Sequence, residues 1–177
     1  MIAIITPCYK ENLSIVLRNI ISVQNQKNFE KKIKHFIIFD GIDREDILDS
    51  KFKNYSNIFF GETRINHDDY GDYIRRLGGR ISFQKEFSSI TFLDADNFWN
   101  ADHLMKVYET RNKSGKDIII SSRKIIGKKN IKKNYTSSFF DTNTMTFFGE
   151  KMNLVYLYYI SIKVYDYETM FVHKWAS

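Results

Sequence analysis

Two aspartates separated by one alanine, Asp94-Ala95-Asp96, directly follow a run of apolar and β-branched residues, Ile90-Thr91-Phe92-Leu93. Carboxylates at that spacing repel one another unless a cation or hydrogen-bond donors offset their charge. Their hard oxygens suit Mn²⁺ or Mg²⁺. An ion held there would bridge to a diphosphate and neutralise it as a leaving group. The same spacing also suits a turn in which Asp94 and Asp96 cap the next helix, and the two residues alone do not choose between these roles. Asp40 ends another apolar run, Ile37-Ile38-Phe39, and Thr6 ends a third, Ala3-Ile4-Ile5.

The elements that must carry these residues follow from periodicity. Residues 2–6 read as a buried strand closed by Pro7. Leu13, Val16, Leu17, Ile20 and Ile21 then fall on one helical face, with Asn12 in the N-cap position. Residues 33–39 form a second strand, 43–53 a weaker helix, and 57–60 a third strand ending at Gly61. Tyr70, Ile74, Leu77 and Ile81 mark another helix. It contains Gly78-Gly79, each costing about 1 kcal/mol relative to alanine, so a close backbone approach or a site is expected there. Residues 89–93 form a fourth strand. Asn100 is placed to cap a helix whose Leu104, Val107 and Tyr108 face inward, and 117–121 give a fifth strand.

Strands alternating with helices imply an α/β fold: a Rossmann-like, mostly parallel central sheet with right-handed crossovers and flanking helices. Ligands of such sheets sit beyond the carboxyl ends of the strands. Thr6, Asp40 and Asp94 should therefore converge on one edge. After residue 122 the pattern changes to a basic stretch at 123–133, a polar and aromatic segment at 139–148, and two runs, 154–162 and 165–175, read as helical. The 177 residues are read as one domain. The change of pattern divides it into a longer half, 1–122, and a short half, 123–177.

Lys and Arg outnumber Asp and Glu by 27 to 21, which suits an anionic partner. The basic stretch reads as a solvated loop or as a flap over an anion; it lacks interleaved aromatics, which argues against a nucleic-acid partner. Cys8 is the only cysteine, which excludes an intramolecular disulfide framework and favours a reducing, cytoplasmic setting. The first residues lack the pattern of a signal peptide, and the apolar run at 154–162 is too short to span a bilayer. Contact with the inner face of the membrane remains compatible with the basic charge. Neither GxxxxGK[ST] nor GxGxxG occurs, so a bound phosphate must be met by a metal ion and basic side chains.

Taken in order, the motifs resemble the family-2 inverting glycosyltransferases. Ile4-Ile5-Thr6-Pro7-Cys8-Tyr9-Lys10-Glu11, followed by a helix with Asn19, Ser22, Val23 and Gln26, is similar to the family's opening. Ile37-Ile38-Phe39-Asp40-Gly41 resembles its second strand, and Tyr70-Gly71-Asp72-Tyr73-Ile74-Arg75-Arg76-Leu77-Gly78-Gly79 the helix before its metal site. Asp94-Ala95-Asp96, continued by Asn97-Phe98-Trp99-Asn100-Ala101-Asp102-His103-Leu104, resembles its DXD motif, and Asp141-Thr142-Asn143-Thr144-Met145 a later segment.

The resemblance implies a GT-A fold, a nucleotide-diphosphate sugar donor, a divalent ion (Mn²⁺ or Mg²⁺), and a glycan, lipid-linked or protein acceptor. It implies that Thr6, Pro7, Tyr9 and Glu11 surround the nucleoside and that Asp40 bonds the base. Asp94 would lie near the ribose or the ion, Asp96 would ligate the ion, and Arg75 or Arg76 would face the nucleotide. A carboxylate must take the acceptor's proton. Asp166 is the first candidate, Glu168 the second and Asp141 the third, although acidic residues there also suit a helix N-terminus. Trp99 could stack on a sugar or pack in the core. His103 reads as packing near a helix start, Cys8 as a small packing residue, and His173 as structural or as a further metal ligand. Two other readings compete. A sugar nucleotidyltransferase would need a glycine- and lysine-rich loop where Pro7-Cys8-Tyr9-Lys10-Glu11 stands; a non-catalytic nucleotide-sugar-binding protein would need no base.

Overall fold

Residues 2–8 carry no charge and are all buried, forming β1 (Ile2–Cys8) in the middle of a seven-stranded sheet. In this computed structural model the residues described are 1–41, 44, 52, 55–84, 87–122, 144–152 and 171–173. The other strands are β2 (Ile33–Phe39), β3 (Ile58–Glu62), β4 (Ser89–Phe92), β5 (Ile118–Ile120), β6 (Met145–Phe148) and β7 (Phe171–His173). Their spatial order is β5-β6-β4-β1-β2-β3-β7. The four central strands β4, β1, β2 and β3 run parallel, while β6 and β7 add antiparallel neighbours on either side. The sheet is therefore mixed but mostly parallel.

Alternate residues of β1 feed different cores. Ile2 and Ile4 pack with Val23, Leu104, Val107 and Tyr108, from the helices α1 (Leu13–Gln24) and α3 (His103–Ser114). Ala3 and Ile5 pack on the other face with Ile74 of α2 (Asp72–Gln84), Ile90, Phe92 and Met152. Among the described residues α1 and α3 thus cover one face and α2 the other, as a parallel sheet buried on both sides requires.

Several expectations are corrected. Pro7 does not close β1; the strand continues through Cys8. The Ile5 carbonyl accepts Leu93 N–H on the β4 side, whereas the Cys8 carbonyl accepts Asp40 N–H on the β2 side. Pro7 therefore faces the β4 side, beyond the end of β4, where a missing N–H breaks no ladder bond. The buried face of α1 is Val16, Asn19, Ile20 and Val23, and Ile21 is 40% exposed. Tyr70 precedes α2 instead of packing within it, and is 98% exposed. Asn100 lies before the cap of α3; Asp102 occupies that position, and neither Asp102 nor Asn12 makes a side-chain cap bond.

Residues 171–173, expected to be helical, form β7 on the edge of β3. The inward placement of Leu104, Val107 and Tyr108 agrees with the spacing that predicted it. The helix expected at 43–53 falls largely outside the described residues; the basic stretch 123–133 and the run 154–162 fall there entirely, as do Asp141, Asp166 and Glu168. Among the described residues no helix is long and apolar enough to cross a membrane.

Candidate active site

The carboxyl ends of β1, β2 and β4 open onto one cleft of about 390 Å³, whose lining includes Pro7, Tyr9, Glu11, Asp40, Asp94 and Asp96. The segment between β3 and α2 closes its other side through Asn66, Asp68, Asp69, Tyr70, Gly71 and Arg75. Gly71 sits there at φ 82°, and a Cβ on it would lie 2.7 Å from the Pro7 Cβ. Only glycine allows the start of α2 to press this closely on the end of β1. Asp69 fixes that start: its Oδ1 accepts Gly71 N–H at 3.1 Å and its Oδ2 accepts Tyr73 N–H at 2.8 Å.

Arg75 is buried beneath the cleft. Its Nη2 donates to Asp94 Oδ1, and its Nη1 donates to Asp72 Oδ1 at 3.0 Å and to the Tyr70 carbonyl at 2.9 Å. The charge of Asp94 is thus partly met. Asp96 is less well served, although the residue as a whole is exposed. Partial burial of its carboxyl, then the negative charges of Asp94 and Glu11, hold its pKa above the usual carboxylate value. Glu11 is pinned where it exerts that field, its Oε2 accepting Tyr9 N–H at 2.6 Å and its carbonyl accepting Arg44 Nη1 at 2.8 Å.

This local excess of negative charge fits a divalent cation. Among the described residues no three His, Cys, Asp or Glu side chains are gathered closely enough to hold an ion by themselves. Mg²⁺ and Mn²⁺ do not need such a cage: one or two carboxylates suffice when substrate phosphates and water complete the shell. Asp94 and Asp96 can supply those two.

Asp40 is 5% exposed and heavily engaged. Its Oδ1 lies 2.6 Å from His67 Nδ1 and accepts Thr63 Oγ1–H at 3.1 Å, and its Oδ2 accepts His67 N–H at 3.3 Å. A carboxylate acceptor assigns the imidazole proton to Nδ1. Of the roughly four acceptor positions of a carboxylate, one is left for a ligand. The His67 ring lies flat on Tyr73, with centroids 3.7 Å apart, and the Arg76 guanidinium stands 5.2 Å from the Tyr73 ring.

The structure therefore brings Pro7, Tyr9, Glu11, Asp40, Arg75, Asp94 and Asp96 together, and Cys8, buried, also reaches the lining. It does not bring Thr6 or Arg76 to the cleft. Thr6 is buried within the sheet, its Oγ1 2.8 Å from His35 Nε2, because it lies two residues inside the end of β1 while Pro7 and Cys8 stand at the opening. Arg76 joins the outer stack on Tyr73. Trp99 belongs to the core and stacks on His103 at 4.4 Å, and burial lowers the His103 pKa to about 4. The backbone of His173 lies in β7, at the edge of the sheet, and its side chain lies outside what is described.

Sequence reasoning missed Asn66, His67 and Asp69. The signal for Asp69 was present: an aspartate just before an apolar-periodic run is a helix-start signature. Nothing in the local sequence pairs His67 with Asp40, because they meet only through the parallel pairing of β2 and β3.

Residues 3–172 match the family model described as glycosyl transferase family 2. No curated protein matches. Among solved structures, S. aureus TarS 1-349 in complex with UDP-GlcNAc has a TM-score of 0.70 at 14% identity, over 87% of this chain and 46% of that one. The same protein in complex with UDP gives 0.67 at 15% identity, over 87% and 47%. The mannosyltransferase PcManGT from Pyrobaculum calidifontis, in complex with GDP-Man and Mn²⁺, gives 0.58 at 11% identity, over 70% and 35%. The chain thus spans less than half the length of each of these structures. At such identities the likeness is one of fold: the mostly parallel sheet flanked by helices is the GT-A, Rossmann-like arrangement.

Proposed function

Because the chain belongs to glycosyl transferase family 2, with the match running from residue 3 to residue 172, we propose that it transfers a sugar from a nucleoside-diphosphate donor to an acceptor hydroxyl with inversion. The observation that carries the proposal is the meeting of Asp40, Asp94 and Asp96 on one cleft at the carboxyl edge of the sheet. The ligands named for the solved structures, UDP-GlcNAc in one and GDP-Man with Mn²⁺ in the other, support the donor class and the ion.

In this reading Asp96 and Asp94 hold Mn²⁺ or Mg²⁺. Such an ion, when bound, neutralises the charge that gathers on the departing diphosphate. Asp40 uses its remaining acceptor position on a base N–H, and Pro7, Tyr9 and Glu11 flank the nucleoside. Arg75 does not reach past Asp94; it fixes the direction of that carboxylate. The acceptor oxygen forms its bond to the anomeric carbon as the bond from that carbon to the phosphate oxygen breaks, and the hydroxyl proton passes to a carboxylate. Asp166 is proposed for that role, with Glu168 as its alternate. The acceptor is a glycan, a lipid-linked chain or a protein. The single thiol and the basic charge support a cytoplasmic setting, at or near the inner face of the membrane.

Titration calorimetry with UDP, GDP, CDP and dTDP tests the proposal. At least one should bind only with Mn²⁺ or Mg²⁺ present, and Asp96→Ala should lose that binding. Binding indifferent to metal, or no binding of any of the four, would refute it.

A further inference from the structure

Residues 93–102, which carry Asp94 and Asp96, form neither strand nor helix. Their backbone groups must therefore find partners elsewhere. Many of them find those partners on one face of α1 and in the residues just past its end. Asn19 Nδ2 donates to the Asp94 carbonyl at 2.9 Å and to the Asn97 carbonyl at 3.1 Å. Arg18 Nη2 donates to the Asp96 carbonyl at 2.9 Å, and Ser22 Oγ accepts Trp99 N–H at 3.2 Å. Gln26 Nε2 donates to the Asn100 carbonyl at 2.8 Å while its Oε1 accepts Leu104 N–H at 2.9 Å. Asn19 and Ser22 lie in one row along α1, and Gln26, two residues past the end of the helix, carries that row on. The row continues into Lys27, whose N–H donates to the Ala101 carbonyl at 2.7 Å.

We propose that this polar row of α1, with Asn19 at its centre, is the positioning apparatus of the acidic loop, setting where Asp94 and Asp96 point. The proposal rests on the reading of those aspartates as ion and donor ligands. Asn19 has no access to solvent and sits among Val16, Ile20 and Val23 on the buried face of the helix. A polar side chain there is costly unless it is bonded, and an apolar residue would serve packing more simply. Its two N–H groups go to the carbonyls on either side of Ala95-Asp96, while its Oδ1 has no protein partner among the described residues. Stability alone does not select a buried amide that leaves its acceptor unpaired. Loop geometry does, because two bonds from one rigid amide fix the distance and angle between the Asp94 and Asn97 carbonyls.

The helix also links two sides of the cleft. α1 begins two residues after Glu11, which lines the cleft, and its flank holds the acidic loop. α1 therefore ties the backbone that carries Asp94 and Asp96 to the segment that carries Glu11.

The test compares Asn19→Ser with Ile20→Val, a packing change one residue along the helix that leaves the polar row intact. Two readouts separate positioning from stability: amide hydrogen exchange of residues 93–104, and the affinity for UDP or GDP in the presence of Mn²⁺. Asn19→Ser should speed exchange in that segment about tenfold and weaken Mn²⁺-supported nucleotide affinity at least about fivefold. Ile20→Val should change neither readout at matched thermal stability. Should Asn19→Ser not fold, Ser22→Ala removes one bond to the loop, with the Oγ–H bond to the Asn19 carbonyl, and should give the same pattern at about threefold. Wild-type exchange in the Asn19 or Ser22 variant, or an equal change in Ile20→Val, overturns the proposal. A wild-type protein with no Mn²⁺-dependent gain refutes the proposed function instead, and the exchange arm then decides alone whether the row holds the loop.

Discussion

Replacing Gly78 by alanine sets two effects of opposite sign against each other, and the structure decides which one wins. Helix propensity favours alanine by about 0.8–1.0 kcal/mol in a helix interior. Against this, a Cβ at residue 78 would lie 2.5, 2.6 and 2.7 Å from Cγ1, Cγ2 and Cδ1 of Ile5. Carbon atoms prefer about 3.5–4.0 Å, so the contact is short by roughly 1 Å. Ile5 has little room to yield. It is fully buried, β-branched, and paired with Phe36 on one side and Phe92 on the other. The helix must move off the sheet, and overpacking of this kind costs about 1–3 kcal/mol. The net expectation is a loss of up to about 2 kcal/mol, or up to roughly 8 °C in Tm for a chain of this size. Arg75 lies one turn away on α2 and moves with it, so the Arg75–Asp94 contact loosens and nucleotide affinity falls as well. Thermal unfolding of wild type, Gly78→Ala, Ile5→Ala and the double variant measures the coupling. Ile5→Ala removes all three clashing atoms, so the double variant should be more stable than additivity predicts by about 1–2 kcal/mol. A rise in Tm for Gly78→Ala, with additive behaviour in the cycle, would show that propensity prevails and that α2 does not need this close approach.

Other outcomes follow from the same geometry. Asp96→Asn should abolish Mn²⁺-supported nucleotide binding while leaving Tm unchanged or higher, because a carboxyl whose pKa is raised in the folded state is costly to ionise there; paired calorimetry and melting curves check both halves. In wild type, metal-supported binding should be complete above the raised Asp96 pKa and decline as acid protonates that carboxyl, and Glu11→Gln should move the midpoint to lower pH. Arg75→Met should cost about 2–3 kcal/mol in urea unfolding, since it removes the donor shared by Asp94, Asp72 and the Tyr70 carbonyl, and Arg75→Lys about 1–2 kcal/mol, because one ammonium cannot span all three. Burial lowers the His35 pKa to about 3, so the unfolded chain binds the proton first and stability should drop as pH falls from about 6.5, by up to about 1.4 kcal/mol per pH unit. The acid limb of a His35→Gln variant should be shallower, and parallel curves would contradict the assignment.

Some of this architecture was plain in the residues. The strand at 33–39 was legible to the residue because seven positions without glycine or proline end at Asp40-Gly41. Asp40, Asp94 and Asp96 were legible as a group for a related reason: an acidic residue directly after a buried strand stands at the edge where ligands bind. The boundary of β1 was not legible, because the rule that proline ends a strand depends on which neighbour is present on its N–H side. The choice between Arg75 and Arg76 was hidden as well. They are adjacent on a helix, and only the packing of Gly71 on Pro7 and Gly78 on Ile5 sets which one turns inward. β7 was misread because residues 165–175 carry a helix-like pattern, and its pairing with β3 joins positions more than a hundred residues apart.

The polar row of α1 shows why a site is harder to read than a core. Periodicity reports where apolar surface must be hidden, and Asn19 interrupts the apolar face of α1 without disturbing that signal. Its use becomes visible only when the loop after β4 is laid beside the helix and the loop's carbonyls are counted. The same holds for the charges. A folded chain gains nothing in stability from bringing Glu11, Asp94 and Asp96 to one cleft with a single buried arginine among them, and the raised pKa of Asp96 reflects that tension. An arrangement that is unfavourable alone, yet held in place by bonds from α1 and α2, is one preorganised for a ligand of opposite charge.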